Sequence, residues 1–282
     1  MHIAISGATG FVGRRLREIL VAHGHTVSRL PRWTTEPGLR LEPPLDAIVH
    51  LAGEPVSQRW SKEVKERIRS SRVEGTRLLV SAIGKLAVKP QVLVCASAVG
   101  FYGDRGEERL TETSPPGEGF LPDVCQAWET EAGRAAAYGV RVVKIRTGLA
   151  LGRNGGALAK MLLPFRLGLG ARLGDGNQWM SWIHLDDLAE MMRFAIEAPG
   201  VSGAWNGVSP HPVTNREFTR ALGKAVHRPT FLVAPKALIM LGAGEMAQIL
   251  FASQRCLPEA PLAAGFSFRY PELGPALQAV VD

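Results

Sequence analysis

A chain of 282 residues, 46% apolar and 21% charged, has the make-up of an ordinary soluble globular protein with room for one large domain or two smaller ones. No apolar run is long enough to span a membrane, MHIAISGATG lacks the regions of a signal peptide, and Cys95, Cys125 and Cys256 are dispersed with no CxxC; together these argue against a disulfide framework and a structural zinc site and fit the cytoplasm. The net charge of +7 would suit nucleic acid, but the bases are scattered among acids, as in SKEVKERIRSSR (61–72), so an anionic cofactor is the plainer explanation.

Along the chain, short β-rich apolar runs alternate with helical periodicity, which predicts βαβ units stacked on a parallel sheet. The runs are HIAIS (2–6), HTVSRL (25–30), DAIVHL (46–51), QVLVCA (91–96) and VRVVKI (140–145). Val12, Leu16, Ile19 and Leu20 mark a helix over 11–22. Val64, Ile68, Leu79 and Ile83 mark another over 61–83, and the Ala/Glu-rich 123–137 is a third. Residues 152–180 are glycine-rich and predict an irregular excursion over a site. From Val208 the rhythm is mainly helical: Thr214 and Glu217 predict a capping box, and one helix is expected through 236–251. The predicted class is α/β, a Rossmann-type doubly wound parallel sheet over 1–207 with a small, mainly helical C-terminal lobe over 208–282.

GATGFVG (7–13) follows the first strand and opens the first helix. Gly7, Gly10 and Gly13 allow a tight turn, approach of the backbone to a pyrophosphate and close helix–strand packing. Thr9, Phe11 and Val12 complete the loop, and the helix N-terminus supplies N–H groups to an anion. The second strand ends in TVSRLPRWTTE, with Arg29 and Arg32 and no acid before Glu36. A carboxylate there would repel a 2′-phosphate, whereas guanidinium pairs with it, so NADP(H) is the expected cofactor. The alternative for either arginine is a solvated surface residue.

Further stretches resemble the extended short-chain dehydrogenases/reductases. They are HLAGE (50–54), RVEGT (72–76), ASAVGFYG (96–103), IRTGLALG (145–152) and SWIHLDDLA (181–189). With VCQAWE, MLLPFRLGLG and the tail AAGFSFRYPEL, they resemble the atypical epimerase-like subgroup of the family-39U and YfcH types, which carries a C-terminal domain of unknown function. The resemblance implies that Leu51, Ala52, Gly53 and Glu54 line the cofactor. It also implies cofactor contacts from Arg72, which stands where the family has asparagine, and from Ala96, Arg146, Gly148 and Leu149.

The same resemblance puts Ser97 at the active-site strand, where its hydroxyl would hold a substrate oxygen. The family's Tyr-x-x-x-Lys pair is replaced by Cys125 and Glu129. A carboxylate beside a thiol raises its pKa and suppresses the thiolate, so Cys125 reads as a substrate-side wall rather than a nucleophile. Tyr102 is the alternative proton donor, or else a packed aromatic. Trp182 and His184 are further substrate-side candidates, with a core residue and a hydrogen-bonded histidine as their plainer alternatives. Asp186 or Asp187 is expected to cap the following helix, and no metal site is expected. The expected function is an NADP(H)-dependent oxidoreductase or epimerase-like enzyme on a small polar substrate. Neither nucleic acid nor membrane is an expected partner, and the chain is a monomer or a homodimer. The rival is an NADP(H)-dependent sensor or assembly factor without turnover.

Overall fold

The central strands of the sheet send their apolar side chains to both faces. Ile3, Ile5, Val92, Val94, Val143 and Ile145 pack on one side; Ala4, Ile48, Leu93, Cys95 and Val142 pack on the other. Strands buried on both faces need helices on both faces, the layering that βαβ crossovers build. The computed structural model describes residues 1–31, 39, 41–42, 44–153 and 155–281. Six strands form one parallel sheet: β1 (His2–Ser6), β2 (Thr26–Arg29), β3 (Ala47–His50), β4 (Val92–Ala98), β5 (Arg141–Thr147) and β6 (Gly203–Gly207). Their spatial order is β2-β1-β3-β4-β5-β6. Five of these were expected. The sixth, GAWNG, has no strand-like alternation and forms by pairing along β5.

Helix α1 (Phe11–Ala22) packs with α5 (Leu185–Glu197) on one face, and α2 (Lys62–Lys85) with α3 (Phe120–Gly133) on the other. Leu16, Leu20, Ile68, Leu79 and Ile83 are fully buried on these helices, each worth roughly 1.5–3 kcal/mol of transfer free energy. Ser61 caps α2 by accepting from the Val64 N–H. The strand order reverses between β1 and β3: β2 lies to one side of β1 and β3 to the other, with their connections on opposite faces. This is the switch point where open α/β sheets bind ligands.

The glycine-rich excursion is more ordered than expected. It contains helix α4 (Gly156–Arg166) and a short strand, Ala171–Leu173, paired with Leu232–Ala234. The lobe's apolar core joins α4 to α6 (Asn215–Ala225) and the C-terminal helix Leu273–Val281 through Leu158, Phe165, Trp182, Phe218 and Leu277. The lobe is therefore built from both sides of residue 208. Phe266 and Phe268, by contrast, pack against the α1/α5 face of the sheet. The Thr214–Glu217 capping box is present. The helix expected over 236–251 is interrupted: α7 (Lys236–Ala243) stops at Gly244, whose φ of +62° suits glycine and breaks the helical run. Among the described residues no helix is long and apolar enough to cross a membrane.

Candidate functional site

The turn from β1 into α1 is closed by the Gly10 N–H donating to the Gly7 carbonyl at 2.9 Å. Gly7 has φ +71°, and a Cβ on it would stand 2.9 Å from the Leu51 carbonyl carbon. A Cβ on Gly13 would stand 2.2 Å from the Gly7 oxygen. Both positions exclude a side chain, and the loops after β1 and β3 can touch only because glycine is there. Gly10 caps α1 without any side-chain hydrogen bond, so the N–H groups of its first turn face outward. Beneath the turn, the buried Ser6 hydroxyl lies 2.6 Å from His50 Nδ1 and accepts from the Leu51 and Ala52 N–H groups at 3.1 and 3.3 Å. Burial, then the Arg72 charge, lowers the His50 pKa to about 4, so this support is neutral. Phe11 lies under Gly152, Gly155 and Gly156, bringing the glycine-rich segment to the mouth of this cradle.

A second polar group lies on the α2/α3 face, under the ends of β4 and β5. Ser97 and Arg146 are register partners on those strands, and Glu129 comes from α3. The Ser97 hydroxyl donates to Glu129 Oε1 at 2.7 Å. Arg146 meets the same carboxylate with both arms, Nε to Oε1 at 2.8 Å and Nη2 to Oε2 at 3.0 Å. Its Nη1 donates to the Tyr102 hydroxyl at 2.9 Å and to the Glu112 carbonyl at 3.1 Å. The guanidinium lies 3.5 Å from the Phe101 ring centre. Ser97, Glu129 and Arg146 are all buried. A buried ion pair holds only when its remaining polar atoms are also satisfied, and here they satisfy one another.

The structure brings Ser97, Cys125 and Glu129 together as the motif spacing predicts, but it corrects several roles. The Ser97 hydroxyl is committed as a donor to Glu129. Tyr102 is fully buried, within hydrogen-bond reach of Asn206 Oδ1 at 2.7 Å and the Thr111 carbonyl at 2.9 Å, and burial pushes its phenol pKa up. It is a packed, hydrogen-bonded aromatic and not an open proton donor. Arg146 is spent on Glu129 and Tyr102, which removes it from the cofactor surface. Trp182 is a core residue whose indole donates to the His211 carbonyl at 2.9 Å. His184 is buried against Tyr270, with ring centres 4.0 Å apart, beside the Arg15–Asp186 bridge. Its partners come from α1, α5 and the tail, not from the Ser97 group. His184 also caps α5 by accepting from the Asp186 N–H, the role expected of Asp186 or Asp187; Asp187 instead accepts from the Arg269 and Tyr270 N–H groups.

Burial, and then Glu129, push the Cys125 thiol up to about 12, so it is neither a nucleophile nor an acid near neutral pH. Thr9 is exposed at the cradle's lip, and Val12 packs into the core. Ala96 is half-buried in β4. Gly148 admits the close approach of the Ser181 carbonyl, 2.4 Å from where its Cβ would be, and Leu149 donates to that carbonyl. Arg29 is exposed at the end of β2; Arg32 lies outside the described residues. Arg72 lies behind the Leu51–Glu54 loop, its Nη1 donating to the Glu54 and Ile68 carbonyls at 2.9 and 3.2 Å. Asn206 and Glu112, which complete the buried network, carried no sequence signal. Asn206 meets it at the Tyr102 hydroxyl and Glu112 at Arg146, and the Asn206 N–H ties the two together by donating to Glu112 Oε1. Among the described residues no three His, Cys, Asp or Glu side chains converge to hold a metal.

Comparison with known proteins agrees with this layout. The model of the NAD dependent epimerase/dehydratase family matches residues 3–206, and that of a domain of unknown function, DUF1731, matches 234–280. The bovine epimerase family protein SDR39U1 is 40% identical over all of both chains. The Bacillus subtilis epimerase family protein YfhF is 37% identical over all of this chain and 98% of its own. The crystal structure of human epimerase family protein SDR39U1 (isoform 2) with NADPH superposes with a TM-score of 0.92 at 37% identity, covering 99% of both chains.

Proposed function

The chain belongs to the NAD dependent epimerase/dehydratase family, and on that premise we propose that it is an NADP(H)-dependent oxidoreductase acting on a small polar substrate at the carboxyl ends of its strands. The observation that carries the reading is the cradle: glycines at positions where a Cβ has no room, beneath an uncapped helix N-terminus at the sheet's switch point. Gly7, Thr9, Gly10, Phe11, Val12 and Gly13 would hold the pyrophosphate. Leu51–Glu54, Ala96, Gly148 and Leu149 would line the dinucleotide, and Arg29, with Arg32, would meet the 2′-phosphate. The nicotinamide supplies the hydride chemistry when bound. Cys125 forms an apolar, protonated wall beside it. NADPH bound in the human relative supports the same cofactor here.

The protein's own part differs from the family's. Ser97 and Tyr102 have their hydroxyls committed inside the protein, so a proton reaches or leaves the substrate through solvent or another group. That closure favours a second reading, an NADP(H)-responsive protein without turnover. Titrating the purified protein with NADPH and NADH, then following NADPH absorbance with a panel of carbonyl compounds and nucleotide-sugars, separates the readings. Tighter NADPH than NADH binding with oxidation by one panel member supports the oxidoreductase. Tight NADPH binding with no oxidation supports the sensor. Preference for NADH overturns the cofactor assignment.

A further inference from the structure

Two arginines approach α3, Arg72 near Cys125 and Arg146 at Glu129, and their partners differ. Arg146 has a carboxylate on both arms. Arg72 is half-buried in α2, and among the described residues no carboxylate oxygen comes within ion-pair distance of it. Among the described residues its hydrogen-bond acceptors are two backbone carbonyls, both on Nη1. That leaves the Nε–Nη2 edge, a side-on fork of two N–H donors, without an acceptor among the described residues. The guanidinium lies flat against Gly53: a Cβ there would stand 3.1 Å from Cζ and 3.3 Å from each terminal nitrogen. It also lies 5.2 Å from the Trp128 ring centre. Gly53 and the indole therefore hold it as a fixed plate, and the exposed Gly53 loop puts the plate at the open, carboxyl-terminal side of the sheet. Cys125, on α3 with Trp128, lies within its electrostatic reach. A buried cation with no carboxylate in contact is costly; burial lowers the pKa of this one, and the Glu54 charge, acting from beyond ion-pair distance, offsets that only in part.

We propose that Arg72 is an oxyanion anchor, holding a carboxylate or phosphate group of the substrate beside Cys125 with its Nε–Nη2 edge. The fork geometry matches two oxygens of one anion, which an ammonium or a hydroxyl would not. The substrate class is then a small anionic carbonyl or hydroxyl compound. This deepens the oxidoreductase reading and rests on it for the location of the cleft.

The test uses the full chain, apo and NADPH-saturated, titrated calorimetrically with oxalate and with inorganic phosphate, and repeated with Arg72→Met and Arg72→Lys. Wild type saturated with NADPH is expected to bind oxalate or phosphate. Arg72→Met should weaken that binding by at least about tenfold and NADPH binding by far less, and Arg72→Lys, a charge without a fork, should fall between. Two results overturn the proposal: equal anion binding by wild type and Arg72→Met, or a loss of NADPH affinity in Arg72→Met when saturated wild type binds neither anion. The second assigns the cation to the cofactor's own phosphates. Anion binding by wild type that cannot bind NADPH keeps the anchor and sinks the cofactor reading instead. Should Arg72→Met fail to fold, the wild-type and Arg72→Lys titrations decide: equal oxalate affinity in the two overturns the fork.

Discussion

The glycine cradle and the Ser97–Glu129–Arg146 group stand side by side under the same row of strand ends, yet they are built in opposite ways. The cradle is backbone held close to backbone, supported by a neutral histidine, with a helix N-terminus left uncapped. The second group is a set of charges and hydroxyls that use up one another's hydrogen-bonding capacity. A site that leaves donors unpaired is prepared for an outside partner; one that pairs them all contributes stability and shape. In this protein the positions that align with catalysis belong to the second kind. What remains open to a ligand is the cradle and the free edge of Arg72.

The sharpest way to break this contrast is to remove one charge from the closed group. Glu129→Leu leaves Arg146 buried without its partner and should cost about 3–5 kcal/mol of stability. The double variant Glu129→Leu/Arg146→Met, apolar on both sides, should regain much of that loss. NADPH affinity of the folded protein should change little in either. Urea unfolding followed by NADPH titration reads both quantities. A Glu129→Leu variant as stable as wild type would mean that the pair is not the buried element described here.

The two regions also differ in how far the sequence reveals them. The cradle was legible because its parts are contiguous: glycines three apart, a strand before them and a helix after. The ionic group was not, because it joins residues on β4, α3 and β5 that are distant in the chain. Its charges also replace a familiar pair with others whose partners only the sheet register supplies. Tyr102 and Arg146 each sit in a motif that suggests a site, and only burial reveals that they face inward. The sixth strand was illegible for a related reason: GAWNG has no periodicity of its own and depends on pairing along β5.

A pH titration tests the neutral support of the cradle. Folded His50 has a pKa of about 4, against about 6.5 when unfolded, so below pH 6.5 the unfolded chain takes up a proton that the folded one refuses. Stability is therefore whole above pH 6.5 and falls as pH drops toward 4, by about 3 kcal/mol from this residue. Carboxylates titrate in part of the same window, so the informative quantity is the difference between wild type and His50→Gln. The variant should lose less over pH 7 to 4. Parallel losses would remove the histidine from the cradle's support.

Gly13→Ala probes the cradle's close packing. The added methyl would stand 2.2 Å from the Gly7 carbonyl oxygen and 2.8 Å from the Ala8 Cα, both backbone atoms, so the turn itself must move. Overpacking of this kind costs about 1–3 kcal/mol, with a much larger proportional loss of NADPH affinity because the phosphate-facing N–H groups move with the turn. Variant protein that melts near wild type but no longer binds NADPH would place the effect in the cradle. Undiminished affinity would mean that the turn is not where the dinucleotide lies.

The smallest effect is expected at the cradle's edge. Arg29 ends β2 with an exposed guanidinium, where charge is screened by solvent and salt. Arg29→Glu should leave stability unchanged and weaken NADPH by about tenfold while barely altering NADH, since only the 2′-phosphate carries the charge being repelled. The discrimination should shrink as salt rises from 50 to 500 mM, which a merely steric effect would not do. An equal loss for both cofactors would assign Arg29 to the ribose or to the fold. No loss for either would leave discrimination to residues beyond the end of β2. In each case the cradle's glycines would still set whether a dinucleotide binds at all, and the charges at its rim only which one.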